Sequence, residues 1–305
     1  MKIKGIHAAP ALVTIVGALM LATSYIDISK ISKNTNPYLT VMILQLICIG
    51  LPAVFFCLLR PQEYRHTLGL RIPKVRHITI SVYALIMLVS GGIALSILMY
   101  MLFPEAFSAS GMDMKNLNIA EYTDKDSIYA ALTFAILPAI LEEFLFRGVV
   151  RSEYSKYGAL SSVLLSSLLF GMLHFTPVRL PIYVFSGIVL ALLAGACNSI
   201  IPSVLVHIAN NLFVLYFEKY IYKIAGKHSG GLTLLAFIVV SVLLLAAILF
   251  FGRAQSLHRE FAMENRPSPL IKKVKISDSP LIVQSILSPT LLIFVVLYVA
   301  AAFLL

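Results

Sequence analysis

Charged side chains are scarce in this chain of 305 residues, and their scarcity excludes an ordinary soluble domain. Asp, Glu, Lys and Arg make up 12% of the residues, about half of the roughly 25% that is usual in soluble domains. Mean hydropathy is +0.92. Uncharged runs recur from end to end at lengths that suit membrane-spanning helices and exceed the roughly ten-residue strands of outer-membrane barrels. The sequence therefore predicts an all-α fold, a polytopic transmembrane helix bundle.

Cysteine is also rare, which argues against a disulfide framework and a cysteine metal site. Cys48, Cys57 and Cys197 all lie in apolar runs, and no Cys-x-x-Cys pair is present. The net charge of +10 is spread over short loops beside apolar runs instead of forming one basic patch. Membrane topology produces this distribution. We therefore expect membrane lipids as neighbours and no nucleic-acid partner.

Nine apolar runs divide the chain, and we expect eight or nine transmembrane helices. The runs are 8–26, 38–59, 78–103, 127–157, 158–175, 181–197, 203–217, 231–252 and 280–305. The first run has no clear cleavage site after it, so we interpret it as a retained helix and not as a signal peptide. Polar loops are expected at 218–230 and 253–279. We divide the chain into N-terminal helices and loops (1–126), a central core (127–217) and C-terminal helices (218–305).

The distribution of Lys and Arg predicts the orientation of the bundle. If successive runs alternate in direction, one side receives 16 of these residues and the other receives 8. Cytoplasmic loops carry the excess of basic residues. The sequence therefore predicts an integral protein of the cell membrane with its N-terminus in the cytoplasm.

A few strongly polar side chains lie inside the apolar runs, where ionisable groups are costly and usually face a protein interior or a wet cavity. They are Glu142, Glu143, Arg147, His174, His207, Asn210 and Asn211. We interpret Asn210 as an amide that packs helices together and take the others as candidates for a functional site. Glu143 and Arg147 are four residues apart, so they share a helix face and can form an ion pair. The same spacing puts His207 and Asn211 on one face. Glu142 lies about 100° round the helix from Glu143, so Arg147 neutralises it less.

Hydrolysis is the chemistry that fits these residue types. A carboxylate in a low-dielectric site becomes a better base, so Glu142 with a histidine can deprotonate a water aimed at a carbonyl. A neighbouring imidazole and amide can stabilise the oxyanion. No serine neighbours a histidine in a recognisable nucleophile elbow. The structural alternatives stay open: Glu143 and Arg147 as a buried ion pair that only locks the bundle, and Glu142 or His174 as hydrogen bonders between helices.

Three short patterns occur in order: Glu142-Glu143-x-x-x-Arg147, Phe170-x-x-x-His174 and His207-x-x-x-Asn211. Together they resemble the three motifs of the CPBP family. This family comprises intramembrane proteases related to type II CAAX prenyl endopeptidases and to bacteriocin-processing and immunity proteins. The resemblance covers roughly residues 128–217. The segment Leu68-Gly69-Leu70-Arg71 also resembles one that often lies upstream in this family.

The resemblance implies an endopeptidase that cuts a peptide or protein substrate in or at the membrane. Glu142 would be the general base, His174 would help to activate the water, and His207 and Asn211 would form the oxyanion site. Glu143, Arg147 and Phe170 would be supporting residues. The favoured reading needs no cofactor. The alternative is a zinc site made by Glu142, His174 and His207, although the His-Glu-x-x-His zinc signature is absent.

The depths of these residues in a simple topology disagree. Glu142 lies about 21 Å from the cytoplasmic end of its helix and His174 about 24 Å, at 1.5 Å per residue, whereas His207 lies only about 8 Å past Pro202. The three can converge only if helices tilt strongly or if the turn at 198–202 dips into the membrane. Short, proline-interrupted helices beside a cavity allow such a turn.

Two other functions remain as alternatives. A proton-coupled carrier would use Glu142 and the histidines as a relay, although no inverted repeat of the motif helix is visible. A non-catalytic scaffold or regulator would keep the fold without the reaction, although all three motifs are intact. The identity of the substrate, its prenylation and the oligomeric state are left open.

Overall fold

The computed structural model describes residues 5–25, 36–59, 68–109, 124–155, 158–226, 228–263, 284 and 287–304. Within these ranges the regular structure is entirely helical, which confirms the predicted all-α class. The helices are α1 (Gly5–Ser24), α2 (Pro37–Leu59), α3 (Ile78–Leu102), α4 (Pro104–Ala109), α5 (124–155), α6 (Ala159–Met172), α7 (Leu180–Cys197), α8 (Ile201–Tyr216), α9 (Glu218–Gly226), α10 (Gly231–Met263) and α11 (Pro289–Leu304).

Six helices of the described part are long and apolar enough to cross a membrane. The number rises to seven if α8 and α9, which meet at a bend of 45°, form one broken span. Two further apolar helices, Ala159–Met172 and Pro289–Ala302, are shorter. The chain is therefore an integral membrane protein with several spans, but the predicted total of eight or nine is not confirmed as a number.

Two predicted loops are partly helical. Residues 218–226 form α9, because Glu218 and Tyr222 lie four residues apart on one buried face of an amphipathic helix. The helix α10 continues from Gly252 to Met263, into the segment that was expected to be a basic loop. Its extension is held by Arg253, whose guanidinium contacts Glu260 at 3.0 Å and donates to the carbonyl of Arg76.

Helix α7 lies at the centre of the core and packs against α3, α6, α8 and α10. Small residues let it approach α6 closely. A methyl group added at Gly187 would lie 2.9 Å from Cα of Ser167, and one added at Gly171 would lie 2.6 Å from the side chain of Val184. Close backbone approach at small residues is a common basis of helix association in membranes. The α6–α7 pair is thus a tightly packed base for the residues that it carries.

Helices α2 and α5 contain π-helical segments: Leu46–Gly50, Ala131–Ile136 and Phe144–Val150. Such segments are rare and are often found at functional sites. Carbonyl groups of the segment Ala131–Ile136 accept bonds from neighbouring helices. Gln45 of α2 donates to the carbonyl of Thr133 at 3.1 Å. The polar Gln45 therefore has a structural partner in the helix that carries the Glu-Glu pair.

The turn between α7 and α8 lies deep in the bundle. Asn198 ends α7 in the left-handed conformation at φ 50°, and Ile200 N–H donates to the carbonyl of Gly69 at 2.9 Å. The neighbouring Leu68 side chain lies against Gly148 of α5. Gly148 follows Glu142 by six residues, or about 9 Å of helix, and His207 follows Ile200 by seven, or about 10.5 Å. The turn is therefore joined through Leu68 and Gly69 to α5 at Gly148, and similar lengths of helix lead from there to Glu142 and to His207.

Candidate active site

A cavity of about 350 Å³ lies where α5, α8 and the connection between α6 and α7 meet. Four predicted catalytic residues line it, together with the supporting residue Phe170. These four are Glu142, His174, His207 and Asn211. Three separate segments of the chain thus converge on one space, as the sequence required for a shared site.

The ion pair predicted between Glu143 and Arg147 is present, with Oε1 and Nη1 2.8 Å apart. Both side chains are fully buried, at 0% and 1% exposure. Arg147 also donates to the carbonyl of Gly187 on α7 at 3.0 Å, and its guanidinium lies 4.5 Å from the centre of the Phe170 ring. The pair therefore joins α5 to α6 and α7 as well as neutralising charge within α5.

His207 lies between the two glutamates. Its Nδ1 is 3.0 Å from Oε1 of Glu143, and because an ionised carboxylate only accepts hydrogen bonds, Nδ1 carries a proton and donates it. Its Nε2 lies 3.8 Å from Oε2 of Glu142, which is beyond hydrogen-bond distance. Glu143 thus orients the ring while Nε2 faces the cavity beside Glu142.

His174 follows the end of α6 and lies in a turn. Its Nδ1 is 3.0 Å from the carbonyl oxygen of Phe170, which can only accept, so Nδ1 is the protonated nitrogen. In the neutral imidazole Nε2 then keeps a lone pair. The ring stacks on Tyr183 with centroids 3.8 Å apart and planes at 15°. Glu142 is close enough to act electrostatically on this imidazole.

Phe170 is the common neighbour of the buried polar groups. Its ring centre lies 5.1 Å from that of His174 and 5.9 Å from that of His207, in edge-to-face geometry. Phe146 contacts the same ring at 5.3 Å, and Arg147 lies over it. This single aromatic ring therefore contacts both imidazoles and the guanidinium of Arg147.

Asn211 lines the cavity one helical turn after His207. Its Nδ2 donates to the carbonyl of Ala135, in the π-helical segment of α5, over a long 3.5 Å. A side-chain amide has two N–H groups, so one remains for another acceptor. Asn210 lines the same cavity.

A second polar group, which the sequence did not predict, lies in the cavity at the start of α9. Arg179 and Glu218 both line this part of the cavity and interact electrostatically. Glu218 is buried at 5% exposure, and the Tyr222 hydroxyl donates to it at 2.9 Å. Both charges were assigned to loops, and the four-residue spacing of Glu218 and Tyr222 is the one sequence signal that pointed to a buried helix face.

The described residues do not form a ready set of ligands for a metal ion. Within the described residues, no group of three His, Cys, Asp or Glu side chains is arranged to hold one. The alternative zinc ligands Glu142, His174 and His207 line the same cavity. Nδ1 of each histidine is bonded, to Phe170 and to Glu143, so Nε2 is the nitrogen that each ring would offer to a metal ion.

Residues 124–213 match the family model described as "Type II CAAX prenyl endopeptidase Rce1-like". The matched segment begins with α5 and ends within α8, so it contains every motif residue. Neither a curated protein nor a solved structure matches the chain. The match confirms the resemblance that was predicted from the three motifs.

Proposed function

We propose that this chain, a protease whose central domain belongs to the CPBP/CAAX intramembrane family, cuts a membrane-associated or lipidated protein with a water activated by Glu142 and His174. The observation that carries the proposal is the convergence of Glu142, His174 and His207 on one cavity from three segments of the chain. Convergent polar groups in a cavity are the expected signature of an active site.

Glu142 is the general base of the proposed reaction. Its side chain is 14% exposed, within the cavity, so it is accessible to water. Apolar residues line much of the same cavity. The carboxylate takes one proton from the water as the water oxygen attacks the substrate carbonyl carbon. It returns this proton to the nitrogen of the leaving amine when the C–N bond breaks. His174 accepts a hydrogen bond from the same water at Nε2.

His207 and Asn211 stabilise the oxyanion that forms on the carbonyl oxygen. A donor role for His207 requires a proton on Nε2 as well as on Nδ1. Glu143 and Glu142, at 3.0 and 3.8 Å from the ring nitrogens, together offset the positive charges of His207 and Arg147. Asn211 contributes the amide N–H that its bond to Ala135 leaves over. In this scheme Glu143 and Arg147 act by holding His207 and need not touch the substrate.

The cavity suits a segment of peptide in an otherwise apolar membrane protein. Its lining combines apolar side chains such as Val89, Ile182 and Phe213 with the polar groups of the site. These polar groups give water and the amide groups of a peptide hydrogen-bonding partners inside an apolar bundle. Lipids or a lipid anchor on the substrate remain outside, against the exposed apolar helix faces.

The test is peptide cleavage by the purified protein in detergent, comparing wild type with Glu142→Gln, each with and without a chelator. The substrates are a mixed library of lipidated and plain peptides. Glu260→Gln is the matched control, because this glutamate pairs with Arg76 and Arg253 away from the cavity. We expect cleavage by wild type and Glu260→Gln, none by Glu142→Gln, and no effect of the chelator.

Loss of cleavage on chelation would indicate that the same residues bind a metal ion. Equal cleavage by wild type and Glu142→Gln would overturn the role of Glu142. If folded wild type cleaves nothing, the carrier alternative is tested with the same two proteins in proteoliposomes by measuring proton uptake. Proton uptake that depends on Glu142 would support the carrier function and overturn the protease proposal.

A further inference from the structure

The orientation of His174 depends on contacts outside its own helix. Helix α6 ends at Met172, so the imidazole projects from a turn and is not fixed by helical packing. The bond from Nδ1 to the carbonyl of Phe170, at 3.0 Å, fixes the position of one ring atom. A hydrogen bond tolerates a range of angles and the χ2 torsion of histidine has broad energy wells, so this bond alone restrains the plane of the ring only loosely.

The second contact is with Tyr183. This residue lies in the first turn of α7, which follows the turn that carries His174. The two rings are nearly parallel, at 15°, and their centroids are 3.8 Å apart. A flat ring packed face to face at this distance blocks rotation of its neighbour out of the shared plane.

We propose that Tyr183 is a positioning residue for His174, and this inference rests on the proposed function. The bond to Phe170 sets the place and protonation of Nδ1, and the Tyr183 face sets the plane of the ring. Together they keep the lone pair of Nε2 directed at the water beside Glu142. Arg179 lines the cavity beside Tyr183 and interacts with it electrostatically.

The contributions of the stacking face and the hydroxyl group of Tyr183 can be tested separately. Tyr183→Phe keeps the face and removes the hydroxyl group, whereas Tyr183→Leu removes the face. A displacement of a reacting group by about 1 Å can lower the rate about a hundredfold. We therefore expect Tyr183→Leu to lower kcat about 10- to 100-fold with KM within about twofold, and Tyr183→Phe to stay within about threefold of wild type.

The kinetic test measures kcat and KM on a peptide that wild type cleaves, for wild type, both Tyr183 variants and the control Tyr100→Leu. Tyr100 makes an aromatic contact with Phe107 at 6.4 Å and does not line the cavity, so this variant removes an aromatic face elsewhere. An unchanged kcat in Tyr183→Leu would overturn the inference. Equal losses in Tyr183→Phe and Tyr183→Leu would assign the effect to the hydroxyl group and also overturn it.

A second measurement does not require activity. Stacking places the imidazole protons of His174 in the ring current of Tyr183, so their NMR signals shift upfield. The signals are assigned by comparison with His174→Gln. We expect the upfield shift in wild type and Tyr183→Phe and its loss in Tyr183→Leu. Absence of the upfield shift in wild type would overturn the inference. If the upfield shift is present but the protein cleaves no peptide, the result would count against the proposed function alone.

Discussion

Nδ1 of His207 lies 3.0 Å from Oε1 of Glu143, the same oxygen that lies 2.8 Å from Nη1 of Arg147. One carboxylate oxygen therefore serves an imidazole of α8 and a guanidinium of α5. All three side chains are buried. This arrangement ties the position of a candidate catalytic histidine to the integrity of an ion pair on another helix.

Arg147→Met tests that connection through stability. Removing one partner of a buried ion pair leaves an uncompensated charge, and we expect a loss of about 3–5 kcal/mol in the free energy of unfolding. The double variant Glu143→Gln/Arg147→Met leaves no charge behind, so it should be more stable than the Arg147→Met single variant. Thermal unfolding in detergent of wild type, both single variants and the double variant measures this. Additive losses would show that the pair is not coupled.

Glu142→Gln should abolish cleavage and leave stability almost unchanged, unlike the changes in the Glu143–Arg147 ion pair, which lower stability. Glu142 is partly exposed to the cavity, and its distance of 3.8 Å from His207 is too long for a hydrogen bond. Glutamine has nearly the same shape, so we expect the free energy of unfolding to change by less than about 0.5 kcal/mol. Peptide cleavage should nevertheless be lost. A large drop in melting temperature would indicate that Glu142 is a structural hydrogen bonder, which is the alternative left open by the sequence.

The sequence was sufficient to select the polar residues but not to explain how they meet. Glu142, His174 and His207 stood out because ionisable groups are rare in apolar runs. The turn that leads into the helix of His207 is bonded through Ile200 to Gly69. Those two residues are far apart in sequence, and a backbone hydrogen bond leaves no side-chain pattern. For this reason the depth of the turn could be stated only as a requirement.

Other site residues were missed because their types are ordinary in their surroundings. Tyr183 lies in an apolar run in which an aromatic residue carries no special signal. Arg179 and Glu218 border apolar runs, where charged residues usually mark the ends of membrane spans. The structure brings all three to the cavity, where the first turn of α7 packs on His174 and α8 bends by 45° into α9. Both features depend on tertiary packing.

Gly187→Ala should disturb the site from a distance. The added methyl group would lie 2.9 Å from Cα of Ser167, so α6 and α7 must separate, and the carbonyl of Gly187 that binds Arg147 must move. Overpacking of this kind costs about 1–3 kcal/mol. Gly252→Ala is the control, since a methyl group there meets nothing within 4 Å. We expect lower stability and lower cleavage for Gly187→Ala only, and equal melting temperatures would contradict the close packing.

Asn211→Ala tests the proposed oxyanion site. Removing one oxyanion donor typically lowers kcat about 10²- to 10³-fold, and we expect a loss in this range with little change in KM. The bond to Ala135 is long, at 3.5 Å, so it contributes little to stability and the melting temperature should stay close to that of wild type.

Asn210→Ala is the matched comparison, because it removes the neighbouring amide of the same cavity. If Asn210→Ala lowers kcat as much as Asn211→Ala, the amide of Asn211 is not a specific donor. If Asn211→Ala instead lowers the melting temperature and leaves kcat unchanged, its bond to the π-helical segment of α5 is structural, and the oxyanion role falls to His207 alone.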